Sequence, residues 1–212
     1  MNSFRAILTK ESHLISRTMK RRIVGLCTFS VIFPFIVDYF FPGGALFELL
    51  FVIPSLLMAV ELITSSMIKE NENKMLELLL CQDMNKMAVI FGKLIAPLLY
   101  GSLTLAISLI VNVLLIPLPV EAIPMAAVTG ILIISFAIFV SIFLSLFKLR
   151  REHYYFLNGL LIYLTCNTVL IFFIANRTRL LLIFIALIIL FLTLCFVRLS
   201  ALDTNLHFCE KD

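Results

Sequence analysis

No tryptophan occurs in the 212 residues, glycine occurs only seven times, and 14% of positions carry Asp, Glu, Lys or Arg. A soluble domain is roughly 25% charged, so the shortage of charge excludes an ordinary water-soluble fold. Cys27, Cys81, Cys166, Cys195 and Cys209 are scattered without a C-x-x-C pair. That excludes a zinc ribbon or a dithiol motif and leaves small apolar packing residues. His13, His153 and His207 are far apart, so no metal site is expected. The few glycines include no G-x-x-x-x-G-K-[ST] run, which excludes a nucleotide cradle of that kind within this chain. There is no nucleophile elbow, no H-E-x-x-H and no paired-carboxylate motif, so no catalytic residue is assigned and the chain does not read as an enzyme. Strict polar/apolar alternation is missing too, which argues against a barrel. No small-residue cleavage site follows the first apolar run, so no cleaved signal peptide is expected.

What is present is oil in long runs: 62% of the chain is hydrophobic and its mean hydropathy is +1.10. The stretches 94–120, 131–147 and 180–197 carry no charge at all. About 18 or more apolar residues suffice to cross a bilayer core as a helix. The expected architecture is an all-α integral membrane protein with six spans, at about 23–41, 45–67, 87–116, 124–147, 155–175 and 180–197. Pro42-Gly43-Gly44, Pro117-Leu118-Pro119 and Asn176 to Arg179 mark turns between them. No repeat is visible, and residues 23–199 form one transmembrane domain.

Charge orients that domain. Of the seventeen Lys and Arg residues, only Arg177 and Arg179 fall on one side, and the rest lie before span one, after spans two and four, or in the tail. The positive-inside rule places both termini in the cytoplasm and the protein in the cytoplasmic membrane as a multi-pass chain. The net charge of +4 is then a topology signal, and no nucleic-acid partner is implied. Within residues 1–22, Phe4, Ile7, Leu8, Leu14, Ile15 and Met19 recur near helical spacing with basic residues between them. This predicts an amphipathic helix lying against membrane lipids at the interface. Residues 200–212 form a short cytoplasmic tail.

Acids inside apolar runs are costly and therefore informative. Glu61 lies well inside the second span, whereas Asp38 and Glu48 lie nearer the outer ends of the first two. Glu61 is expected to face the bundle, an interface or water. Lys93, near the start of the third span, is its nearest cation by depth, and the two form a candidate intramembrane polar site. One reading makes Glu61 line a transport path. The other makes it an interhelical hydrogen-bonding group near Thr64 and Ser65.

The long charged link between spans two and three exceeds the roughly 2–8 residues of a plain helix connection. On a helix, Glu70, Lys74 and Glu77 form one polar stripe, and Met75, Leu76, Leu79 and Leu80 form an apolar one beside it. The run Glu72-Asn73-Lys74-Met75-Leu76-Glu77-Leu78-Leu79-Leu80, followed by Gly92-Lys93-Leu94, resembles permeases of the type-2 ABC exporter class. Those permeases carry a Gly-Thr-Leu-Glu-like box and a Gly-Lys opening the next span. Here Lys74-Met75 stands in place of the Gly-Thr, and Gln82-Asp83-Met84 in place of the proline turn. The link between the last two spans is also shorter than in many relatives. The resemblance implies a cytoplasmic coupling helix carrying Glu70, Glu72, Lys74, Leu76, Glu77 and Leu78. It implies an ABC-type ATPase subunit as partner, which would bind the ATP, and a permease dimer formed with itself or a second permease. This chain would hold no cofactor of its own. The expected cargo is amphipathic or hydrophobic: a peptide, an antibiotic or a lipid-like molecule. Alternative readings are a haem-handling permease of cytochrome c maturation, a self-contained secondary transporter or channel, and a non-transporting immunity or assembly protein.

Overall fold

In a computed structural model of the chain, the described residues are 9–10, 13, 20–40, 52–72, 86–115, 122–147, 151–175 and 177–209. Within these, positions 37–38, 40, 71–72, 112, 115, 122, 151, 166–175, 177–180 and 203–209 are described by their backbone alone. Everything described is helical apart from the turn at Leu146 and Phe147. The helices are α1 (Lys20–Phe40), α2 (Val52–Glu72), α3 (Lys86–Leu115), α4 (Ala122–Ser145), α5 (Arg151–Ala175) and α6 (Arg177–Cys209). Thr9, Lys10 and His13 are also helical, within the segment expected to be amphipathic.

Apolar side chains make these helices membrane-compatible, and intrahelical hydrogen bonding makes them necessary, because lipid offers the backbone no partner. Four carry stretches long and apolar enough to cross a bilayer: Val52–Glu70, Lys86–Val111, Ile123–Ser145 and Leu181–Leu202. The described residues are thus helical and built for a membrane. Several hydroxyls within these helices bond back to the preceding turn. Thr28, Ser30, Thr129, Ser135 and Thr193 each donate to the carbonyl four residues back, at 2.8–2.9 Å. Pro34 and Pro97 lie inside α1 and α3. Each removes one backbone donor, which transmembrane helices tolerate where neighbours pack around the site.

The bundle is organised around α2, which packs against α1, α3, α4 and α5. Within its apolar window 78% of residues are buried, against 11% for α6. The sequence of α2 explains this. Leu56, Ala59, Val60, Ile63 and Met67 are apolar, while Ser55, Thr64, Ser65 and Ser66 are small enough to admit neighbours on the other faces. Where α2, α3 and α4 cross, Gly101 of α3 leaves room for Ile134 and Ala59. A β-carbon there would sit 3.1 Å from Ile134 Cγ2 and 3.2 Å from Ala59 Cβ. The α4–α6 contact is aromatic. Phe136 stacks edge-on against Phe184 and Phe191 at 5.5 and 5.7 Å between centroids, and Phe143 meets Phe191 at 5.7 Å.

Several ends differ from the expected spans. The second helix runs to Glu72 instead of stopping near Met67, and the sixth runs on to Cys209. Hydropathy marks where a chain stops being oily, whereas a helix ends where its hydrogen bonding ends. Lys69, in the last turn of α2, favours continuation by opposing the negative end of the helix dipole.

Candidate functional site

Three polar clusters lie along α2. The first is at its C-terminal end, where the Glu70 carboxylate is buried. Lys10 Nζ donates to Oε1 at 2.7 Å, and Lys93 Nζ donates to Oε2. The side chains of Glu70 and Lys93 are 4% and 1% exposed, and that of Lys10 is 32% exposed. A carboxylate at a helix C-terminus is disfavoured by the dipole, and one removed from water is disfavoured by desolvation. Two lysines on the two oxygens offset both terms. The spacing of Glu70 to Lys74 and Glu77 allows a polar stripe that faces water or a soluble partner. Glu70 is instead turned inward, because Lys93 of α3 and Lys10 of the N-terminal segment converge on it.

The second cluster is midway along α2. Arg22 Nη1 donates to Glu61 Oε1 and lies 3.4 Å from Ser65 Oγ. Ser65 Oγ, one turn on, donates to the same carboxylate oxygen at 3.3 Å. The structure therefore does not join Glu61 to Lys93. The cation beside Glu61 is Arg22, at the basic start of α1, and Lys93 reaches Glu70 instead. The serine contact lies within α2 and is not an interhelical bond.

The third cluster links three helices through a buried amide. Asn158 of α5 donates from Nδ2 to Thr64 Oγ1 of α2 at 2.7 Å, and its Oδ1 accepts from Ser141 Oγ of α4 at 3.0 Å. Sequence reasoning did not select Asn158. The available signal was an amide within an otherwise apolar run, since polar groups buried in a bundle pair across helices.

Between α1, α2 and α5 a cleft of about 470 Å³ opens. Arg22, Glu61, Thr64 and Asn158 supply its polar wall, and apolar side chains such as Leu26, Leu57 and Ile162 supply the remainder. Gly25 and Gly159 face it from α1 and α5, and a β-carbon on either would meet nothing within 4 Å.

Of the residues expected on a coupling helix, Glu70 and Glu72 belong to α2. Lys74, Leu76, Glu77 and Leu78 lie outside the described residues. The backbone of Asp38 is in α1, and Glu48 falls outside the described residues. His13 and His153 are exposed, Cys27 is half-buried and Cys195 is buried. Among the described residues no three His, Cys, Asp or Glu side chains gather where they could hold a metal ion.

Glu61 and Glu70 are each held by a cation. Comparison with family models, with curated proteins and with solved structures returns no match.

Proposed function

We propose that this chain is the permease subunit of an ATP-driven ABC exporter, moving an amphipathic or hydrophobic cargo across the cytoplasmic membrane. In this reading all six helices cross the membrane, both termini are cytoplasmic, and two permeases work with a separate ATPase. The observation that carries it is the Lys10–Glu70–Lys93 cluster. Glu70 lies in the last turn of α2 and Lys93 in the second turn of α3, so the pair closes the base of the charged segment between those helices. Lys10 ties the N-terminal segment to the same carboxylate. A push delivered to the segment between the two helices is passed to α2 and α3 together, which is what a coupling element requires. The self-contained transporter reading needs Glu61 free to take an ion or a proton. Arg22 already supplies its counter-charge.

The test is affinity purification in mild detergent from the native host. A P-loop ATPase should co-purify with the wild type. Glu72→Lys with Glu77→Lys should reduce its recovery at least tenfold, because charge reversal at a docking site adds repulsion to lost contacts. Glu70 is left unchanged in this variant, since altering it would disturb the bundle itself. An ATPase that never co-purifies, or one recovered equally with the double variant, refutes this role.

A further inference from the structure

We infer that the cleft between α1, α2 and α5 is a binding site for an anionic phospholipid. This goes beyond the exporter reading and does not depend on an ATPase. The first argument is where the cleft lies. Its α1 wall, Arg22 to Leu26, comes from the first two turns of a helix that begins at Lys20, and its α5 wall, Tyr155 to Ile162, from the second turn onward of one that begins at Arg151. The α2 wall, Leu57 to Thr64, comes from the middle of that helix. The cleft therefore lies toward the ends at which α1 and α5 begin and opens beside the middle of α2.

The second argument is what opens it. Gly25 and Gly159 leave the space between the helices unfilled, and the apolar surface beside them is bare. Val24 is 59% exposed and Phe156 70% exposed. In a membrane that surface faces acyl chains, so a chain can enter sideways without meeting water. The volume of about 470 Å³ lies within the roughly 300–1,000 Å³ of ordinary ligand sites.

The third argument is charge. Arg22 lines the cleft, and Lys20 and Arg21 precede it in the first turn of α1; all three are exposed. Glu61 offsets one of the three. Both contacts of Arg22, to Glu61 and to Ser65, run from Nη1. Among the described residues, the other edge of the guanidinium is left for an anion. A guanidinium presents its donors as a fork that matches phosphate oxygens. Basic pockets between transmembrane helices are suited to anionic headgroups. Leaving lipid for an apolar cleft gains an acyl chain little, so the headgroup sets selectivity and the cleft sets position. Each cation near an anionic headgroup is worth about fivefold in occupancy.

The test is native mass spectrometry of the delipidated full chain, titrated with dioleoyl phosphatidylglycerol or with dioleoyl phosphatidylcholine. One phosphatidylglycerol should bind at least tenfold more tightly than phosphatidylcholine. Lys20→Gln with Arg21→Gln keeps the Arg22–Glu61 pair and should cost about twenty-fold or more. Gly159→Leu fills the cleft, keeps every charge, and should abolish the tight site. Free glycerol phosphate in excess should not compete. Equal binding of the two lipids overturns the inference, as does full binding by either variant. Competition by free glycerol phosphate would make the site one for a soluble anion and also overturn it. So would a second copy of the chain occupying the cleft, seen as a dimer that Gly159→Leu dissociates.

Discussion

Replacing Glu70 by Gln should destabilise the bundle more than any other single change of a charged group described here. The size of the effect follows from exposure. Glu70 and Lys93 are almost wholly buried, so removing the carboxylate's charge leaves the Lys93 ammonium inside the bundle without it. Breaking a buried pair from one side costs about 3–5 kcal/mol. Lys10 is a third exposed and can turn to water, so Lys10→Gln should cost only about 0–1 kcal/mol. Removing both buried charges, with Glu70→Leu and Lys93→Met, should restore most of the loss, because a buried pair replaced by apolar groups is often neutral. With no tryptophan to report unfolding, the readout is thermal loss of the monodisperse peak of a fluorescent-protein fusion in detergent. On the scaling of soluble domains of this length, the Glu70→Gln midpoint should fall by about 6–20 °C. The double variant should fall by far less. If Glu70→Gln melts with the wild type, or if Lys10→Gln falls as far as Glu70→Gln, the triad does not hold the bundle in the way described.

Three other outcomes test separate parts of the structure. A cysteine introduced at Thr178 should react with an impermeant maleimide applied to intact cells, and native Cys209 should not; the reverse pattern refutes the proposed orientation. Gly101→Leu should destabilise the helix crossing by several kcal/mol, because even a β-carbon there is tighter than normal contact with Ile134 and Ala59. Gly25→Leu, where nothing lies within 4 Å, should leave the melting midpoint near the wild type.

Much of the architecture was legible because the apolar runs are long. The uncharged stretch 131–147 and the helix Ala122–Ser145 are the same object seen by composition and by hydrogen bonding. Helix ends were less legible, as the extension of α2 past Met67 shows. The polar partners were least legible. Arg22 and Glu61 are 39 residues apart, and Asn158 and Thr64 are 94 apart. A sequence names the charges but does not say which helices lie side by side. Glu70 illustrates the cost of local reasoning. Its i, i+4 and i+7 spacing is compatible with a water-facing stripe, and its burial depends on two segments that no local pattern includes.

The order in which the triad's members are made has a consequence for biogenesis. Glu70 is synthesised 23 residues before Lys93 and 60 after Lys10. At about 5–20 residues per second, the ribosome takes roughly 1–5 s to supply Lys93 once Glu70 has been made. Throughout that interval the charge at the end of α2 already has a cation available in Lys10. The more exposed of the two lysines is thus the first cation on hand for the carboxylate, and the buried one joins it on the other oxygen once α3 is in place. On this view Lys10 matters more to the yield of inserted protein than to the strength of the finished fold.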